Sequence, residues 1–165
     1  MPKIPIDAEG QFAGYASLFG ALDDGGDMVM PGAFAKSLGK RGRDGIRMLF
    51  QHDPKEPVGT WEVLREDATG LWAEGRLVPG VPRADALRRL IAAQAIDGLS
   101  IGFRTVRATR DKGGPRKLWQ IDLWEVSIVA FPMLAGARIA APPAGSKTDR
   151  QLLRSLDAAI TALRS

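Results

Sequence analysis

From Gly70 onward the chain alternates without a break: Leu71, Ala73, Gly75 and Leu77 fall on one side of an extended strand, and Trp72, Glu74 and Arg76 on the other. A period of two suits a strand with one covered and one wet face, and it does not suit a helix. Residues 58–65 read as the neighbouring strand, because Glu66-Asp67-Ala68-Thr69-Gly70 has the composition and length of a hairpin link. A chain with such a hairpin must build a sheet and find something to cover its apolar face. Nothing covalent helps, since there is no cysteine, so disulfides and thiolate metal sites are excluded. At 165 residues one hydrophobic core is sufficient.

Further strands are predicted over residues 11–19, 46–50 and 99–107, and residues 118–131 read as one long strand or two strands broken by a bend. Asp23-Asp24-Gly25-Gly26-Asp27 and Asp111-Lys112-Gly113-Gly114-Pro115 read as turns. Pro31 suits a helix first turn, and a short helix is expected over residues 32–38. Leu87, Leu90, Ile91 and Gln94 recur at helical spacing between Pro82 and Gly98, which predicts a helix over residues 83–96. The class is therefore α+β, mainly β. Ala140-Ala141-Pro142-Pro143-Ala144-Gly145-Ser146 reads as a linker. Beyond it, Thr148 and Gln151 fit a capping box that opens an amphipathic helix with a stripe at Leu152, Leu153, Leu156, Ala159, Ile160 and Leu163. The expected organisation is a main domain over residues 1–140, a linker over 141–146 and a helix over 147–165.

The composition narrows the partners. No run of eighteen apolar residues is present, so no membrane span is expected. The first residues, Met1-Pro2-Lys3-Ile4-Pro5, lack the apolar core of a signal peptide. The net charge of +4 is spread over scattered basic residues, densest at Lys40-Arg41-Gly42-Arg43 and over residues 107–117. These read as solvated loops, and no nucleic-acid partner is expected.

Chemistry is concentrated in three places. The one histidine lies in Phe50-Gln51-His52-Asp53-Pro54, just past the end of a predicted strand. Ser100 lies in Gly98-Leu99-Ser100-Ile101-Gly102-Phe103. Leu99, Ile101 and Phe103 share one face of that strand, and Ser100 and Gly102 the other. Glu125 sits among apolar neighbours in Leu123-Trp124-Glu125-Val126-Ser127-Ile128-Val129. A serine hydroxyl needs a base in reach, and His52 is the side chain whose ordinary pKa suits that task. A carboxylate amid apolar residues needs a partner, and His52 would supply one. The Gly-rich connection between the Ser100 and Glu125 strands predicts that they pair. Taken alone, these residues leave alternatives open. His52 also reads as a surface loop residue, and Ser100 as a small residue packed under a neighbour. Asp122 and Asp53 compete for the acid's role, although strict alternation would put Asp122 on the face opposite Glu125. The chain order of histidine, serine and acid matches none of the common serine-hydrolase orders, and the nucleophile-elbow motif is absent. A metal-dependent hydrolase built on His52, Asp53 and the acidic residues at 23–27 is a further alternative. Its ligand set is thin, and the acidic cluster lacks EF-hand spacing.

Four segments in order, Asp27-Met28-Val29-Met30-Pro31-Gly32-Ala33-Phe34, Leu49-Phe50-Gln51-His52-Asp53, Gly98-Leu99-Ser100-Ile101-Gly102-Phe103 and Leu123-Trp124-Glu125-Val126-Ser127-Ile128-Val129, resemble the HK97-type prohead proteases of tailed phages and their gene transfer agent relatives. The resemblance runs from about residue 10 to residue 140. It implies the fold of the herpesvirus assembly proteases, a closed, mostly antiparallel β-barrel with flanking helices. It implies Ser100 as nucleophile, His52 as base and Glu125 as the third member, with no cofactor and no metal. The herpesvirus version with a second histidine cannot apply to a chain with one. For the oxyanion hole the resemblance points to residues 132–139, through backbone N–H groups or Arg138. The implied function is a serine endopeptidase of procapsid maturation, working inside the procapsid in the host or bacterial cytoplasm. Its implied partner is the major capsid protein or its scaffolding segment, with cleavage of itself and self-association also expected. A non-enzymatic capsid or scaffold module of the same fold is the rival.

Overall fold

The computed structural model describes residues 4–142, 155–156 and 158–163. Its elements are β1 (Gln11–Leu18), β2 (Asp27–Val29), α1 (Ala35–Arg41), β3 (Arg47–Phe50), β4 (Asp53–Glu66), β5 (Gly70–Leu77), α2 (Pro82–Ala92), β6 (Gly98–Arg110), β7 (Arg116–Val129) and β8 (Ile139–Ala141). The expected hairpin of β4 and β5 is present, and β5 continues into an antiparallel pair with β1. The alternation that predicted β5 is obeyed: Leu71, Ala73 and Leu77 are buried, and Trp72, Glu74 and Arg76 are partly exposed.

All eight strands form one sheet in the order β2-β7-β3-β4-β5-β1-β8, with β6 on the other edge of β7. Two short strands, β2 and β3, share one edge of β7, and both run parallel to it. Every other pairing is antiparallel. The sheet curls around a core that includes Phe12, Trp61, Leu71, Leu87, Leu99, Leu123 and Ile128. Phe12 meets Trp61 edge to face, with centroids 5.8 Å apart. Helix α2 begins with Pro82 in its first turn and buries Ala84, Leu87 and Ile91 against this core.

The expectation of a closed barrel is corrected: the sheet is open. No ladder joins β1 to β6. The two sides are tied at one end, where Gly98 bridges Arg138, the Leu99 N–H donates to the Ala137 carbonyl (2.9 Å) and the Ile139 N–H to the Asp97 carbonyl (2.8 Å). The crossing segment ends in β8, whose three residues pair with β1 and are too few to carry pairing further along β6. Past this tie no backbone pairing closes the seam between β1 and β6 among the described residues. The seam holds a pocket of about 230 Å³ lined by Ala16, Leu18, Leu99, Ser100, Ile101 and Phe103, among others.

The first helix lies three residues later than residues 32–38 suggested. Gly32 takes a φ of +90°, outside any right-handed helix, and the Phe34 N–H is held by the Glu66 carboxylate at 2.8 Å. From α1 the buried Ser37 hydroxyl donates to the Ile121 carbonyl and accepts the Leu123 N–H, each at 2.8 Å, which seats the helix on the stretch of β7 between β2 and β3. At the C-terminus, residues 155–156 and 158–163 are helical, with Leu156, Ile160 and Leu163 exposed. Most of the expected linker, the capping box at Thr148 and Gln151, and Leu152 and Leu153 lie outside the described residues.

Candidate active site

The site is assembled on β7 from two neighbours. On one edge, β6 runs antiparallel with Ser100 opposite Ser127 and Gly102 opposite Glu125. On the other edge, β3 runs parallel with Leu49 beside Ser127 and Phe50 beside Ile128. The chain then reverses at once, because Phe50 pairs with Asp53 and only Gln51 and His52 form the turn. Both turn residues have positive φ, 54° and 58°. A two-residue hairpin of this hand normally uses Asn or Gly, so a Gln-His turn carries backbone strain. Three hydrogen bonds hold it against β7: the Gln51 N–H to the Ile128 carbonyl (3.0 Å), the Ala130 N–H to Gln51 Oε1 (2.9 Å) and the His52 N–H to Ser127 Oγ (3.0 Å).

This turn aims the imidazole at Glu125. The His52 Nδ1–H donates to Glu125 Oε1, and the Ser127 hydroxyl donates to Glu125 Oε2 at 2.6 Å. A carboxylate only accepts, so the bond fixes the proton on Nδ1 and leaves Nε2 as the basic nitrogen of the neutral ring. The Glu125 side chain is 12% exposed and that of His52 41%. The hydrogen bond to Glu125 raises the His52 pKa above the usual imidazole value; partial burial opposes this, and the charge of Glu125 adds to it. Gly102 makes room for this acid. A Cβ there would run into the Glu125 carboxylate.

The acid owes its direction to a β-bulge. The β6–β7 register slips between Gly102 and Phe103, whose partners are Glu125 and Leu123. Trp124 is left over and stands 52% exposed. Before it the core residues are Ile121 and Leu123; after it they are Val126 and Ile128. The extra residue resets the alternation and turns Glu125 away from the core. It also removes the argument that Asp122 lies on the opposite face, since both acids point away from the core. Their partners separate them. Asp122 is clamped by the Arg41 guanidinium at 2.9 and 3.0 Å and accepts the Trp124 indole N–H at 2.9 Å. The bonds from Arg41, and then that from Trp124, hold its pKa down at about 2. Asp53 accepts the Lys55 N–H and shapes the start of β4.

Ser100 is 5% exposed and lines the seam pocket. It stands across the ladder from the bonded trio of His52, Glu125 and Ser127; among the described residues it is not hydrogen-bonded into that trio. Arg138 is engaged with Asp97 and with the Ala135 carbonyl. Asp23 caps its own turn through the Gly25 and Asp27 N–H groups, and Asp27 forms a two-point pair with Arg116 at 2.7 Å. The acidic cluster therefore does not converge on His52. Among the described residues no group of three potential metal ligands gathers. Reasoning from sequence missed Ser127. The available signal was a serine inside the apolar run at residues 126–129, two residues after Glu125, where a buried hydroxyl needs partners.

Comparison with known proteins adds three findings. Residues 3–151 match the family described as caudovirus prohead serine protease. The prohead protease of Enterobacteria phage HK97 is 35% identical over 136 residues, 81% of this chain and 60% of that protein, so the chain spans about 60% of the length of the curated relative it matches. Among solved structures, the bacteriophage T4 capsid assembly protease superposes with a TM-score of 0.60 at 15% identity, covering 72% of this chain and 80% of the other. KSHV protease, solved with a hexapeptide phosphonate inhibitor, gives 0.54 at 13% identity over 90% and 76%. Varicella-zoster virus protease gives 0.53 at 12% over the same shares. At these identities the structural likeness is one of fold.

Proposed function

The chain belongs to the caudovirus prohead serine protease family, and from that premise we propose that it is a serine endopeptidase of procapsid maturation. Its substrates are the scaffolding or N-terminal segment of the major capsid protein, and itself. It works inside the procapsid, in the host or bacterial cytoplasm. Among the described residues no helix is long and apolar enough to cross a membrane.

The observation that carries this reading is the His52–Glu125 pair beside the Ser100 strand. Ser100 Oγ attacks the scissile carbonyl carbon while His52 Nε2 takes its proton. Glu125 stabilises the imidazolium that forms and keeps the ring in the productive tautomer. Collapse of the tetrahedral intermediate breaks the C–N bond, and His52 returns the proton to the leaving amine. Water then attacks the acyl-serine with His52 again as base, and Ser100 is released. The substrate enters in extended form along the open seam. The Leu99 N–H points to that edge of β6, and by alternation so do the backbone groups of Ile101. A peptide adds there as a further strand and sets an apolar side chain in the pocket beside Ser100.

The test is labelling with a fluorophosphonate together with mass spectrometry of co-expressed capsid protein. Wild type is expected to label at Ser100 and to trim the capsid protein, and Ser100→Ala to do neither. Trimming by Ser100→Ala at the wild-type position would overturn the proposal.

A further inference from the structure

We propose that Ser127 is a positioning residue of this site, holding the Glu125 carboxylate and the His52 backbone in one pose through a single hydroxyl. The proposal rests on the reading of His52 as the base and Glu125 as its partner. Ser127 is fully buried between Val126 and Ile128. A hydroxyl there must find partners or destabilise the strand. Both of its partners belong to the site. Its proton goes to Glu125 Oε2 at 2.6 Å, and its oxygen accepts the His52 N–H at 3.0 Å. The first bond fixes the rotation of the carboxylate, so that Oε1 faces the ring and Oε2 does not compete for it. The second bond pins the αL residue that carries the ring. The same hydroxyl thus sets both ends of the Nδ1–Oε1 bond, one through the acid and the other through the backbone of the base. Ser127 is itself no rival nucleophile, because its proton is committed to a carboxylate and no solvent reaches it.

The charged groups on the elements around the ring do not duplicate this role. Asp53 gives its Oδ1 to the Lys55 N–H. Arg47, beside Glu125 in the register, turns its guanidinium to the Asp44 carbonyl. Arg83 of α2 lies over the Phe50 ring and pairs with Glu56. Once the Ser127 hydroxyl is gone, the carboxylate is free to rotate, and its hold on the imidazole weakens.

The experiment is the pH–rate profile of Ser127→Ala, Ser127→Cys and Ser127→Thr on a peptide substrate, with circular dichroism as a check of folding. The alanine and cysteine variants are expected to lose about 10- to 100-fold in kcat with KM held, the range for an outer partner of a catalytic group. Their acid limb is expected to move to lower pH, because the imidazole is less supported by its acid. Ser127→Cys nearly keeps the buried volume and offers only a weak donor, so it reports even where the alanine variant folds poorly. Ser127→Thr restores the hydroxyl and is expected to bring the acid limb back. An acid limb unmoved in folded Ser127→Cys, or a loss confined to KM, would leave Ser127 as packing only and overturn the proposal. Ser100→Ala run alongside separates the two readings. If it is inactive while Ser127→Cys keeps the wild-type limb, the positioning role alone fails; if it is active, the site assignment fails.

Discussion

The molecule has a plain side and a strained side. The plain side is the meander of β4, β5 and β1, all antiparallel. The other side is the corner where β7 meets β3 and β6, with a parallel pairing, a bulge at Trp124 and a turn with two non-glycine residues in the left-handed region. Gln51 and His52 are two of three such residues among those described, the third being Gln94. The meander has register shifts too, between Tyr15 and Ser17 and between Trp61 and Val63, but among the described residues it holds no non-glycine residue in the left-handed region. The corner departs from local preference wherever a side chain must be aimed: the turn aims His52, and the bulge aims Glu125. Strain of this kind persists only where the surroundings fix it, and it concentrates at functional sites.

The contrast can be broken by mutation. Ser100→Ala in the corner is expected to lower cleavage on the order of 10⁴-fold or more with the urea midpoint unchanged. Leu71→Ala in the meander is expected to cost about 2–5 kcal/mol of stability while the folded protein still labels at Ser100. Paired urea melts and capsid-cleavage assays check both, and an inactive but fully stable Leu71→Ala would erase the distinction.

Among the acids, Glu125→Gln is expected to reduce kcat about 10²- to 10⁴-fold, far more than Asp53→Asn or Asp122→Asn. The Asp122 variant weakens the Arg41 clamp instead and is expected to show in the melt. If Asp122→Asn proves the more damaging to turnover, Glu125 is not the partner of the base.

Two glycines sharpen the comparison. In Gly102→Ala the new methyl displaces Glu125, and a loss of tenfold or more in kcat is expected, roughly the effect of a disturbed outer partner. In Gly75→Ala it would meet Met48 Cε at 2.5 Å and the Trp61 ring at 2.7 Å. Overpacking there is expected to cost about 1–3 kcal/mol with kcat unchanged. Equal effects of the two variants on both readouts would mean that Gly102 only packs.

The pH responses of activity and stability should oppose each other. Glu125 raises the pKa of His52 in the folded chain, so activity is expected to be half-lost at a pH above about 6.5, the ordinary imidazole value. The same shift stabilises the fold fully below the unfolded pKa, and this contribution fades as pH rises through the folded value. Glu125→Gln is expected to remove this fading from urea melts taken across that window. The smallest effect is expected at Gln94, after α2, where Gln94→Gly relieves left-handed strain by about 1 kcal/mol. Turnover is expected to stay unchanged, and melts and assays of the one variant check both.

The sequence disclosed the two sides unequally, for the same reason. Leu71 to Leu77 announced β5 by alternation, and the link at residues 66–70 announced its hairpin. The apolar run at residues 118–131 announced β7, and its pairing with the Ser100 strand followed from the connection between them. The β3–β4 hairpin went unseen, because Gln51-His52 carries no turn signal and only tertiary bonds hold it. Residues 118–131 left room for a bend, but nothing in Trp124 says that it is the residue skipped by the ladder. The open seam was masked by the likeness to barrel proteins. Closure depends on how far β8 can reach, and strand length at an edge is weakly encoded. His52, Ser100 and Glu125 were legible as residue types in motifs. Ser127 was only half legible: a serine in an apolar run signals a need for partners, but not that those partners are Glu125 and His52.

The parallel seating of β3 on β7 has a kinetic consequence. His52 and Glu125 stand 73 residues apart, and every strand that brings them together must already be in place when they meet. Contacts of such long range form late, because the entropy of closing the intervening chain comes before the contacts that reward it. On the proposed reading, a partly folded chain holds Ser100 and His52 without the Glu125 contact that orients the imidazole, and no cleavage is expected from it. If the proposed self-cleavage holds, the topology sets its earliest moment: the first cut is expected only after β7, the last long strand among the described residues, has docked.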